Sequence, residues 1–244
     1  MKNKSLNIAA ALLLLGALTA VMAQKADNQW TEWSKKDAQK ILDDSPWGHI
    51  QTETDTREMM FSPTAAAGTS SVNSARSVSG ANNQPINLTF HVRFFSARPI
   101  REALARMLEL TQNGNLKGDQ LARLHNWAEV KSSDLTIITV NFDSPDGRYS
   151  GPAIQAFGSA TSATLKNDCY LQRSDGKQLF LQEYVPPGKD NFGGRFIFPR
   201  QVDGQPFIND KSGEIRFYVK FPDLAKIDRR FKVGDMIYQG QLEY

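Results

Sequence analysis

INLTFHVRFFSARPIREALARMLELTQNG, residues 86–114, changes period in its middle, and that change decides the fold. Leu88, Phe90, Val92 and Phe94 alternate with Thr89, His91 and Arg93, the period of a half-buried strand. From Ser96 onward the apolar residues fall three and four apart. Ile100, Leu104, Met107, Leu108 and Thr111 then share one helical face, with Ser96 as a cap, Pro99 in the first turn and Gly114 at the end. A strand running straight into an amphipathic helix opens the domain.

Outward from there, GDQLARLHNWAEV (118–130) predicts a second helix with Leu121, Leu124 and Ala128 inside, and LTIITVNF (135–142) a β-branched strand. SPDGRYSGP (144–152) is turn chemistry, and residues 153–162 read as a short helix. Strands are expected at 163–172, 178–185, 194–198, 213–221 and 235–243, punctuated by SDGK, PPGKDNFGG, VDGQ and NDKSG. Helices early and strands late on one core predict α+β with a mainly antiparallel sheet and two or three helices over residues 86–244.

Upstream, MKNKSLNIAAALLLLGALTAVMA (1–23) has the form of a secretory signal peptide. Lys2 and Lys4 precede an apolar run from Ile8 to Val21, which is short for a membrane span of roughly 20 residues. The expected compartment is therefore the periplasm or the exterior, with no transmembrane segment after cleavage. Lys2 and Lys4 leave with the leader, so 29 basic residues become 27 against 26 acidic, and the net charge falls from +3 to +1. A near-neutral chain gives no electrostatic case for nucleic acid. The one cysteine, Cys169, excludes an internal disulfide framework.

Residues 24–50 carry three of the four tryptophans. Ser34 and Asp37 have capping-box spacing, Ala38, Ile41 and Leu42 form a short apolar face, and Asp44-Ser45-Pro46 ends the helix. A helix of about three turns is unstable alone in water, so Trp30, Trp33, Ile41, Leu42 and Trp47 must dock on something. The expectation is a strap on the chain's own domain. The other arrangement is docking on a second envelope protein, with the Ser-, Ala- and Asn-rich stretch 51–85 as a flexible linker in which Met59, Met60 and Phe61 are the sticky point.

WSKKDAQKILDDSPW (33–47), SARPIREAL (96–104), FIFPR (196–200) and VGDMIYQGQLEY (233–244) together resemble an uncharacterised family of exported bacterial proteins. The resemblance implies export and a shared α+β domain, and implies no activity.

Catalytic signatures are missing. There is no G-x-S-x-G, no H-E-x-x-H and no phosphate-binding glycine loop. His49, His91, His125 and Cys169 lack zinc spacing, and the acidic turns at Asp143 and Asp210 lack the calcium-loop pattern, so neither metal nor cofactor is expected. Cys169 reads as a core thiol. His91, Arg93, Arg98 and Arg101 form a candidate anion site near a helix start. The functional expectation is a non-enzymatic envelope interaction or binding module. The alternative is a hydrolase or ligand-binding enzyme with its site near His91 and Arg93. The C-terminal alternation ending on Tyr244 looks like that of an outer-membrane barrel, but the strands are too few and too short for one.

The leader reading has a direct check. Protein recovered after export should have the intact mass of a chain beginning at Gln24, and a mass that retains residues 1–23 would contradict it.

Overall fold

The computed structural model describes residues 29–55, 86–112, 115–130, 134–144, 147–222, 224 and 226–244. The fold is α+β, and every strand pair is antiparallel. Its strands are β1 (Asp44–Ser45), β2 (Gly48–Asp55), β3 (Ile86–Phe94), β4 (Leu135–Asp143), β5 (Cys169–Arg173), β6 (Gln178–Phe180), β7 (Glu183–Val185), β8 (Gly194–Pro199), β9 (Gln201–Val202), β10 (Gln205–Pro206), β11 (Glu214–Val219), β12 (Ile227–Lys232), β13 (Ile237–Tyr238) and β14 (Gln241–Leu242). Its α-helices are α1 (Lys35–Asp43), α2 (Arg98–Thr111), α3 (Asp119–Glu129), α4 (Gly147–Ser159) and the single turn α5 (Ser162–Leu165). No helix among the described residues is long and apolar enough to cross a membrane.

Two sheets make the core. One has the order β1-β2-β3-β4-β8-β7 and the other β12-β11-β5-β6. Strand alternation turns Phe90, Val92 and Phe94 of β3, Ile138 and Val140 of β4, and Phe196 and Phe198 of β8 to one face, and all are buried. They meet Ile215, Phe217 and Val219 of β11 and Phe231 of β12. The Phe196 and Phe217 rings lie 5.3 Å apart, and those of Phe94 and Phe231 4.8 Å. This is sheet-on-sheet packing. α4 fills the space beside it, with Phe157 against Phe142 and Phe221 at 5.0 and 4.4 Å.

Residues 24–50 and 86–244 are not separate units. β2 pairs with β3 from Gly48↔Arg93 to Asp55↔Ile86. Residues 51–55, expected as the start of a linker, are therefore strand. The rest of that stretch, with Met59, Met60 and Phe61, lies outside the described residues, as does the leader.

Several expected elements change. The turn residues 147–152 belong to α4, which tolerates Pro152 near its start. Residues 163–165 are helical, because Thr161 caps α5 in a reciprocal box with Thr164, so the strand expected over 163–172 begins only at Cys169. Cys169 and Leu171 are buried side by side on it, and burial pushes the Cys169 thiol's pKa up. Residues 178–185 divide between β6 and β7, which belong to different sheets. Residues 235–243 form the hairpin β13–β14 instead of one strand. Its two turn residues, Gln239 and Gly240, have φ of 50° and 77°, the pattern of a tight hairpin turn. β12 has no alternating signal in the sequence. IDRRFK carries too many charges to alternate cleanly, which suits a sheet edge.

Candidate functional site

The tryptophan segment grips its own chain. Ser34 and Asp37 form a reciprocal capping box at the start of α1. Ala38 and Leu42 are buried, while Ile41 and Trp33 are partly buried against the core. Trp30 packs on Ala105 of α2 and Ala128 of α3, and its indole N–H donates to Glu129 at 3.0 Å, so it joins those two helices. Trp33 contributes its carbonyl, which accepts from Arg106 Nε at 2.7 Å. Trp47 reaches the other end of the domain. Its indole N–H donates to the Glu243 carbonyl at 2.8 Å, and its ring meets Tyr238 edge-on.

The four residues of the candidate anion site divide into two groups. His91 and Arg93 converge on Asp43 at the end of α1, at 2.9 and 2.7 Å, and His91 also lies 3.3 Å from Asp143. Arg93 Nε donates to the Leu42 carbonyl at 2.9 Å. Burial alone would raise the Asp43 pKa. Hydrogen bonds from His91, Arg93 and Gln39 outweigh it and hold the carboxyl far below the usual carboxylate range. The anchor of α1 on β3 is therefore intact above the pKa of an unfolded carboxylate and is lost as the pH falls through the folded value.

Arg98 and Arg101 lie on α2 and serve a different cluster. Arg98 donates to Glu102 at 2.7 Å, and Glu102 also accepts from the Tyr238 hydroxyl at 2.5 Å. Glu102 is fully buried, and burial raises its pKa against the pull of those two donors. Arg101 is buried with its guanidinium on the carbonyls of Ser96, Ala128 and Val130. All four side chains are thus engaged by carboxylates or carbonyls, and they do not converge on one site.

Of the stripe expected to point α2 at the core, Ile100 is fully buried, and Leu104 and Met107 are partly buried against the core. Beyond Ile100, Leu104, Met107, Leu108 and Thr111 line an open cleft of about 700 Å³. Leu42 and Gln39 of α1, Leu124 and Trp127 of α3, and Arg93 of β3 also line it. Leu108 is 42% exposed, unusual for a leucine on the apolar face of an amphipathic helix. The α2 face that is buried instead carries Arg101 and Glu102, whose polar groups are satisfied.

The loop between β7 and β8 closes one side of the cleft through Asp190, Asn191 and Phe192. Phe192 stacks on Trp127 with centroids 6.2 Å apart and contacts Phe95 at 5.1 Å. Asp190 is held by Arg195 and accepts from the Phe192 N–H at 3.2 Å. Gly193, with φ of 83°, lets the chain pass the Val140 carbonyl, where an added Cβ would lie 2.2 Å away.

Sequence reasoning singled out Leu42 and Arg93 of this cleft, but not Trp127 or Phe192. The available signals were the fourth tryptophan on a helix otherwise rich in polar residues, and a phenylalanine in a Pro-, Gly- and Asp-rich turn. A large apolar concavity edged by a few polar groups is the usual form of a small-molecule site, and this volume lies within the ~300–1,000 Å³ common for one. No known protein family, curated protein or solved structure matches the chain.

Proposed function

We propose that the protein is an exported, non-enzymatic binding protein whose ligand occupies the cleft between α1, α2 and α3. One observation carries this reading: Leu104, Met107, Leu108, Leu124, Trp127 and Phe192 surround a cavity of about 700 Å³ that opens to solvent. An apolar ligand seated there would cover the side chains of Leu108 and its neighbours, which now face solvent. The matching ligand is a small amphiphile with an extended apolar body. Methionine and flexible leucine side chains adapt to such a chain. The leader pattern of residues 1–23 supports export. The tryptophan segment then has a scaffolding role, since α1 lines the cleft through Gln39 and Leu42.

The test is a chain-length series. Monoacylglycerols from octanoyl to myristoyl, kept below their aggregation concentrations, are titrated while tryptophan emission is followed. Each buried methylene contributes about 0.8 kcal/mol, so affinity should rise by up to about fourfold per carbon until the cleft is full. Leu108→Arg should abolish binding with little change in melting temperature, because Leu108 is already exposed. Affinity that ignores chain length, or that survives Leu108→Arg, would contradict the reading.

A further inference from the structure

The polar end of the cleft specifies the ligand's head group, an inference that rests on the cleft being the binding site. The charges there are already balanced. Arg93 is paired with Asp43, which is also held by His91 and Gln39, and Asp190 is paired with Arg195. Arg93 gives Nη2 to Asp43 and Nε to the Leu42 carbonyl, and its Nη1 makes no hydrogen bond among the described residues. Arg93 therefore offers the cleft an N–H donor without an unpaired positive charge.

A ligand carboxylate placed there would be removed from water beside two carboxylates whose cations are already taken, and burying an uncompensated charge is far more costly than burying a neutral carbonyl. A neutral carbonyl needs only the donor. We propose that the ligand is a neutral acyl amphiphile, a fatty chain in ester or amide linkage, whose carbonyl accepts from Arg93 Nη1. Free fatty carboxylates are the class the site disfavours. Ester and amide sources share this chemistry, and each forms a separate arm of the test.

The experiment compares dodecanoate, its glycerol monoester and its N-methylamide on a chain of residues 24–244 at pH 8, by calorimetry. Ester and amide should bind at least about tenfold more tightly than the carboxylate, the ratio for one modest electrostatic penalty. Asp43→Asn, checked for folding by its melting transition, releases the Arg93 charge and should shift the preference toward the carboxylate. Arg93→Met should weaken ester and amide binding while keeping the dependence on chain length. Wild-type protein that binds the carboxylate as tightly as the ester, with Leu108→Arg abolishing both, would overturn the head-group assignment and leave the cleft reading standing. Binding of all three probes that ignores Leu108→Arg would overturn the cleft reading itself.

Discussion

Trp47→Ala is expected to lower the melting temperature of a chain of residues 24–244 by roughly 6–20 °C. Truncating a buried tryptophan typically costs about 3–5 kcal/mol, and in a chain of this size each kcal/mol moves the transition by about 2–4 °C. Trp47 is 5% exposed, sits in the main core cluster and donates its indole N–H to the Glu243 carbonyl. The alanine variant therefore leaves both a cavity and an acceptor without its donor. It also removes the link from the turn between β1 and β2 to Tyr238 and Glu243. Trp33→Ala should cost much less, since Trp33 is only partly buried and the Arg106 bond goes to its carbonyl, which alanine keeps. Thermal melts of the two variants in one buffer decide the matter. A Trp47→Ala melt that coincides with the wild type would show that the segment does not brace its own domain.

Gly48→Ala should be comparably damaging although it adds one methyl group. An added Cβ would lie 2.2 Å from the Leu42 carbonyl oxygen, 2.7 Å from its carbon and 2.9 Å from the Ile41 oxygen. All three are backbone atoms, so no side chain can turn aside. The C-terminus of α1 would have to lift from β2, at a cost of about 3 kcal/mol, the upper end of the usual range for an overpacked site. The same movement breaks the bond from Arg93 to Leu42 and removes Leu42 from the cleft lining. Lowered stability and weakened amphiphile binding should appear together in this variant. A stable Gly48→Ala protein that binds normally would mean that α1 does not rest on β2 as described.

Much of this architecture could be read from residues. β3, α2, α3, β4 and β11 each follow one clean period, and the capping box of α1 is written in Ser34 and Asp37. Local signals failed where a long-range partner decides. Thr161 and Thr164 ended a run that otherwise looked like a strand, and Gln239 and Gly240 turned an alternating tail into a hairpin. Only tertiary contacts could show that Arg101 and Glu102 are inside while Leu108 is outside, because helical periodicity places charged residues in solvent and leucines in the core. The cleft was half visible for the same reason. The α2 stripe is legible, but its being left open depends on how α1, α3 and the Phe192 loop stand around it, and Trp30, Asp43 and the Asp190–Arg195 pair that hold them lie far from α2 in sequence.

The central claim, that this cleft is a binding site, is tested most directly by nuclear magnetic resonance of residues 24–244 titrated with dodecanoyl monoacylglycerol. The ε-methyl of Met107 and the indole N–H of Trp127 should shift progressively to saturation. The indole signals of Trp30 and Trp47, buried elsewhere, should stay in place. Unmoved Met107 and Trp127 signals at saturating ligand, or shifts confined to other residues, would contradict it.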